Sequence, residues 1–436
     1  MISAVEKYLE KRAHLNRHKV EFLSTPTHLE MAIVIPALAE ERTLPKTLQS
    51  LAACDSTRLD VTLVVVVVNN RSSEHVDPEA IQENQRTLEW LRSDPYAALH
   101  LAAIDASSPG LELSRKEGVG SARKIGMDHA VDLLRKSDAK HPLIVSLDAD
   151  TAVEPNYLDA LSAFARIDDS WGAVIDYAHE IFGDEEEHAA IISYELFLRY
   201  QELGLGYAGS PYAFHTIGST IACTPEAYAA VSGMNRRKAG EDFYFLQQLA
   251  KTGSVKRITE TTVHPSSRGS WRVPFGTGKR VNRFLDKTHE EYRVYHPDSY
   301  RVLKDWFELV EANPDAEGDW LLEKTRGIHE ELVVFLEAQD FADKWAKLQS
   351  NASSTGQICA QFHCLFDAFQ TLKLIHHLRD TALPEQETFD AYRVLPHVLL
   401  KRSGLKVELP EDVPDSLSSQ LGFLEHLREA MKANLV

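Results

Sequence analysis

Leu147-Asp148-Ala149-Asp150 sets two carboxylates one residue apart, directly after Ile144-Val145-Ser146-Leu147, which reads as a short buried strand. Ligand sites of open α/β sheets collect at the carboxyl ends of the strands. In an extended segment alternate side chains share one side, so Asp148 and Asp150 form a hard-oxygen cradle. Mg²⁺ is commonly held by one or two carboxylates together with the phosphates of a substrate. The spacing therefore points to a metal–diphosphate site, with one acid on the cation and the other on a sugar or ribose hydroxyl. The same pair also suits the cap of a following helix over 155–164.

Three further groups fit that chemistry. Gly118-Val119-Gly120-Ser121-Ala122-Arg123-Lys124 follows Arg115 and Lys116 and opens a helix, where backbone N–H groups and the helix dipole favour an anion. It is neither a Walker loop nor a dinucleotide fingerprint, and a tight turn before a solvated basic helix start accounts for it equally. Glu241-Asp242 opens another helix. Acids there are stabilised by the dipole, and Asp242 is also a candidate general base that takes a proton from an attacking hydroxyl. His264 stands just after a strand and is a candidate third metal ligand. The loop beyond it carries Arg268, Arg272, Lys279 and Arg280, which suit phosphates, and a loop of this length is often a lid.

These residues need a frame. Strands are expected at 31–36, 61–68, 99–104 and 144–147, separated by helices at 42–53, 79–93 and 117–134. That alternation means a doubly wound parallel sheet. Further strands are expected at 172–177, 217–223 and 255–263, and helices at 155–164, 186–203 and 242–252. Residues 1–26 read as an amphipathic helical lead-in. From about 282 the pattern turns helical, near 317–348, 357–380, 386–402 and 415–433. Cys359, His363, Cys364, His376 and His377 have partial zinc-ligand spacing, but they alternate with Phe362, Phe366 and Phe369 and read as a core helix. Tyr194, Phe197, Tyr200 and Tyr207 likewise read as helix packing.

Composition narrows the class. A net charge of −18 over 436 residues argues against a general nucleic-acid binder or an anionic-membrane binder. No apolar stretch is long enough to cross a bilayer, the amino terminus lacks an apolar signal core, and four scattered cysteines make no disulfide framework. The expectation is a reduced, cytoplasmic protein.

Taken in order, these segments resemble the family 2 glycosyltransferases of the GT-A fold. Ile33 to Glu41 is similar to the opening strand and loop that lie against the nucleotide, Gly118 to Arg123 to the glycine–arginine segment, Asp148-Ala149-Asp150 to the Asp-x-Asp motif, Gly218-Ser219 to the strand start facing the donor sugar, and Glu241-Asp242 to the later acidic pair. The second strand ends in Asn69-Asn70-Arg71-Ser72-Ser73, where the family usually has a base-reading Asp; an amide both donates and accepts. The resemblance covers about residues 31–265 and implies an α/β domain with a mostly parallel sheet flanked by helices; with the lead-in and the helical pattern beyond 282, an α-helical C-terminal extension outside the shared core, the chain is expected to divide as 1–30, 31–281 and 282–436. The resemblance also implies a nucleotide-diphosphate sugar donor, a hydroxyl acceptor (saccharide, lipid-linked or small molecule) and Mg²⁺ or Mn²⁺. The roles it implies are Asp242 as base of an inverting reaction, Asp150 with His264 as metal ligands, and Pro36, Ala37, Glu40, Asn69, Arg123, Asp148, Gly218, Arg268 and Lys279 at the donor. The alternatives are a sugar-phosphate nucleotidyltransferase, disfavoured by the glycine-free, acidic stretch Ala37 to Glu41, and a non-catalytic scaffold.

Overall fold

The computed structural model describes residues 3–72, 76–269, 276–400 and 414–434. The chain is α/β. Among these residues it forms a nine-stranded sheet in the order β1-β4-β3-β2-β5-β8-β7-β9-β6, with β1 Val20–Phe22, β2 Met31–Ala37, β3 Thr62–Asn69, β4 His100–Ala106, β5 Leu143–Ser146, β6 Thr151–Val153, β7 Gly172–Tyr177, β8 Ile221–Cys223 and β9 Val255–Pro265. Strands β2, β3, β4 and β5 are mutually parallel neighbours. All residues of β2 and β3 are buried, as expected of parallel strands covered by helices. Strand β8 inserts antiparallel between β5 and β7, and β1 and β6 are antiparallel edges. The sheet is thus mostly co-directional rather than purely parallel.

The chain clusters into two units, one of Met1–Phe182 with Thr216–Lys279 and the other of Gly183–His215 with Arg280–Val436. The first holds the sheet. Its helix Val119–Arg135 packs on β2, β3 and β5. The chain winds outward from β2 to β3 to β4 and then returns to β5 on the other side of β2. The carboxyl ends of β2 and β5 therefore flank the switch point, where such sheets hold ligands, and Asp148 follows β5 there.

Residues 1–26 depart from the helical expectation. Ala4–Lys11 is a capped helix, but Val20–Phe22 pairs with β4. An open parallel edge beside an extended segment recruits it as a strand. Strand β6 was not expected at all, being three residues long.

The second unit is helical. The expected stretch 317–348 is three helices, Gly318–Thr325, Glu330–Ala338 and Phe341–Asn351. The expected single helix across 357–380 breaks into Thr355–Leu365 and Ala368–Thr381, because the Asp367 carboxylate accepts from the N–H groups of Phe369 and Gln370 and caps the second. Trp306, Phe341, Trp345, Phe362 and Phe366 form its aromatic core. His363 and His377 pair with Glu311 and Glu331. Tyr200 packs edge-on against Tyr300 and Tyr392. Among the described residues, no helix is long and apolar enough to cross a membrane.

Candidate active site

The site is organised by Arg123, which lies in the helix Val119–Arg135 with only 4% of its side chain exposed. Its guanidinium pairs with Asp148 on one side and Glu241 on the other, and Nε donates to Ser146 Oγ at 3.1 Å. Burial opposes its charge, but Asp148 and Glu241 outweigh that and hold it firmly cationic. A buried arginine must be compensated by carboxylates, so this one ion pair draws the end of β5 to the start of the helix Glu241–Thr252. The expected phosphate-facing Arg123 is therefore turned onto protein acceptors. Gly218 leaves the room: a Cβ there would collide with the guanidinium.

Asp242 follows Glu241 and accepts from the Phe243 N–H at 2.7 Å. Burial first and the Glu241 carboxylate second push its carboxyl up to about 7, against the pull of Arg123. Glu241 is also raised, by burial, with Arg123 opposing. Asp148 contributes to both shifts. Three acids from two motifs thus share one arginine. The loop before them is fixed too. Asn235 Nδ2 donates to the Glu241 carbonyl at 2.9 Å, and a Cβ on Gly120 would sit 2.6 Å from the Arg237 carbonyl oxygen, so only glycine permits this approach.

A second arginine sits on the other acid of the motif. Arg268 donates through Nε and Nη2 to Asp150 Oδ2 at 3.2 and 2.9 Å and also pairs with Glu40. The pairing of β6 with the end of β9 places Thr151 opposite Pro265, which brings the loop carrying Arg268 back over Asp150. Glu40 accepts from Thr43 Oγ1 as well. Its loop leaves β2 through Pro36 and Ala37 and has Ala39 at φ 53°, a left-handed conformation costly for a residue with a Cβ. Asn84 holds that turn by accepting from the Ala39 N–H at 2.9 Å.

The remaining expected residues are dispersed around this centre. Asn69 spends both amide hydrogens on the carbonyls of Ala37 and Val67, each at 3.1 Å, so it braces the loop after β2. His264 Nδ1 donates to the Ala178 carbonyl at 3.1 Å, and its Nε2 lies 3.6 Å from Glu154. That orientation by a backbone carbonyl is typical of metal-binding histidines, although its neighbours are Glu154 and Ala178 rather than Asp150. Lys279 is exposed on the helix Thr277–Leu285, and Arg272 lies outside the described residues. Among the described residues, no three His, Cys, Asp or Glu side chains gather into a closed metal cage. Asp148 and Asp150 nonetheless suit a hard divalent cation that completes its shell with phosphate and water oxygens.

Sequence reasoning missed Glu241 as the second partner of Arg123, and Ser146, Thr43 and Asn84 as supports. One signal was present: an arginine on a helix rich in buried positions requires carboxylates nearby.

No family model matches the chain, and no curated protein matches it. Among solved structures it is similar to S. aureus TarS 1–349 in complex with UDP-GlcNAc (11% identity, TM-score 0.36, covering 93% of this chain and 91% of that one). It is also similar to the mannosyltransferase PcManGT from Pyrobaculum calidifontis in complex with GDP-Man and Mn²⁺ (13%, 0.36, 86% and 90%) and to GalNAc-T7 with UDP, GalNAc and Mn²⁺ (15%, 0.34, 66% and 51%). At such identities and TM-scores these likenesses carry no weight for the chemistry of this chain.

Proposed function

We propose that the chain is a glycosyltransferase that moves a sugar from a nucleotide-diphosphate sugar to a hydroxyl acceptor, with inversion. The observation that carries this reading is the meeting of Asp148, Glu241 and Asp242 around Arg123 at the carboxyl edge of the sheet, beside Asp150. Asp242, with a carboxyl near 7, is matched to accept the acceptor's proton as the hydroxyl attacks the anomeric carbon. Asp148 orients a ribose or sugar hydroxyl, and Arg123 fixes Asp148 and Glu241 in place. Asp150 would hold Mg²⁺ or Mn²⁺, with His264 Nε2 as a further candidate ligand. When bound, such a cation neutralises charge on the leaving diphosphate. Arg268 and Lys279 approach the donor phosphates, and the Pro36–Glu40 loop, braced by Asn69, lies along the nucleotide.

The test is a donor-hydrolysis screen across nucleotide sugars, with calorimetric titration of the same donors with and without Mn²⁺. One donor is expected to bind in a metal-dependent way and to be slowly hydrolysed. Failure of every donor to bind in either condition would overturn the reading.

A further inference from the structure

The two neighbouring residues Arg123 and Lys124 point to different places. Arg123 reaches the acids described above. Lys124, about a hundred degrees further round the helix, lies 3.2 Å from the Asp128 carboxylate and donates to Tyr8 Oη. Beside Lys124 is a cavity of about 320 Å³, lined among others by His14, Arg17, Ser121 and Arg236, with Glu117 as its one carboxylate. This volume is at the small end of ligand pockets. In a chain with 65 acids to 47 bases, the wall of this cavity carries Arg17, Lys124 and Arg236 against Glu117.

The cations are not all neutralised by their neighbours. Asp128 is shared among Tyr8 Oη at 2.6 Å, Tyr228 Oη at 2.8 Å, the His14 N–H at 2.7 Å and Lys124, so its charge is widely spread. Arg17 donates only to the carbonyls of Gly110 and Glu112, at 3.2 and 2.7 Å, with no carboxylate in salt-bridge reach among the described residues. Arg236 stands 3.6 Å from Glu117 and is largely exposed. The His14 ring at the cavity wall has no hydrogen-bond partner among the described residues, while the backbone N–H of His14 is pinned by Asp128. Both His14 and Lys124 are held below their usual pKa, by burial first; Lys124 and Arg236 add to this at His14, and Arg236 and Arg12 at Lys124. Three cations, Arg17, Lys124 and Arg236, against the Glu117 and Asp128 carboxylates leave an excess of positive charge at this wall, which is the condition an anion relieves.

We propose that this cavity is a binding site for a small phosphate-bearing anion, separate from the donor site, held by Arg17, Arg236 and Lys124 with the His14 ring as a further donor. Its position suits an effector. Arg236 belongs to the loop that Asn235 ties to Glu241, so an anion drawing Arg236 off Glu117 pulls on the segment leading into Asp242. The inference does not depend on the transferase reading.

The probe is inorganic phosphate, titrated into the full chain at constant ionic strength with chloride as the control anion, while the His14 ring is followed by ¹H–¹⁵N correlation NMR. Phosphate is expected to give a saturable His14 shift and an upward displacement of its titration, with backbone amides of 235–242 moving in parallel. Arg17→Gln and Arg236→Gln should each weaken the phosphate midpoint about tenfold, the scale of one lost charge-assisted contact, while Arg268→Gln at the donor site leaves that midpoint unchanged. A non-saturable shift, equal shifts with chloride, or unchanged affinity in both arginine variants would overturn the proposal. Loss of the shift in Arg268→Gln would also overturn it, by assigning the phosphate to the donor site. If an arginine variant does not fold, the phosphate–chloride contrast on the unaltered chain decides.

Discussion

The two acids of Asp148-Ala149-Asp150 each take an arginine, yet the two pairs are different devices. Arg123 and its other partner Glu241 are almost wholly buried, at 4% and 3% exposure, with Asp148 itself 33% exposed, whereas Arg268 and Asp150 keep 32% and 24% of their side chains in solvent. Burial makes the first pair obligatory: removing either partner strands a charge in low dielectric. Exposure makes the second exchangeable, because water and salt screen it and a competing cation can replace the guanidinium at modest cost. Asp148 therefore answers to a buried arginine that the fold requires, and Asp150 to a half-exposed one that can be exchanged.

The sharpest way to break this contrast is to truncate the buried arginine. Arg123→Met should destabilise the sheet-bearing unit by about 3–5 kcal/mol, since the buried Glu241 is left uncompensated and Asp148 loses its partner. Urea denaturation measures it; a loss below about 1 kcal/mol, the ordinary cost of a surface pair, would erase the distinction between the two sites. The double variant Arg123→Met with Glu241→Leu should recover part of the loss, because removing both charges costs less than removing one.

Asp150→Ala should do the opposite: little change in the melting temperature and a fall in turnover of about 100-fold or more, the scale seen when one electrostatic contributor to a transition state is removed. Circular dichroism and the donor-hydrolysis assay separate the two effects. A variant that melts early would move Asp150 into the same class as Arg123.

Asp242 tests what the buried arginine accomplishes. If Asp242 is the base, kcat/KM falls about tenfold per pH unit below about 7 and levels off above it. Stability gives an independent reading. The carboxyl is raised on folding from the usual range near 4 to about 7, so the folded chain keeps a proton that the unfolded chain releases. Stability then falls as pH climbs between those values, the whole of the loss being in place above 7. Asp242→Asn should flatten that slope. Identical slopes for the wild type and Asp242→Asn between pH 4 and 7 would show that Asp242 carries an ordinary carboxyl.

How much of this was legible in the sequence follows the range of the forces involved. The Asp148–Asp150 pair was readable because an acid after a run of apolar residues marks the end of a buried strand, and the alternation up to 147 placed β2 to β5 in the order that creates the switch point. Glu241-Asp242 was readable as a helix start. Its partnership with Arg123 was not, because an ion pair spanning 118 positions of sequence leaves no local pattern. Arg268 was read as a phosphate contact; its hold on Asp150 depends on β6, three residues that no periodicity can detect. Asn69 looked like a base reader because its place after β3 is visible, while the carbonyls that consume its amide lie on β2 and within β3 itself. The break at Asp367 was hidden because the apolar spacing continues across it and only the capping carboxylate reveals the new start.

The smallest effect expected is at the exchangeable pair itself. Arg268 holds one oxygen of Asp150 and also pairs with Glu40, so it places a cation where a divalent ion would compete for the same carboxylate. Arg268→Gln should cost the fold no more than about 1 kcal/mol. It should tighten Mn²⁺ binding, measured by calorimetry without donor, by a few-fold, because the metal no longer displaces a guanidinium. The same variant should bind the nucleotide-sugar donor more weakly, having lost a bidentate phosphate contact. Opposite signs for metal and donor are the signature of an arginine that trades Asp150 for phosphate as the site fills. A variant in which both affinities fall together would instead make Arg268 a fixed brace, equivalent in kind to Arg123.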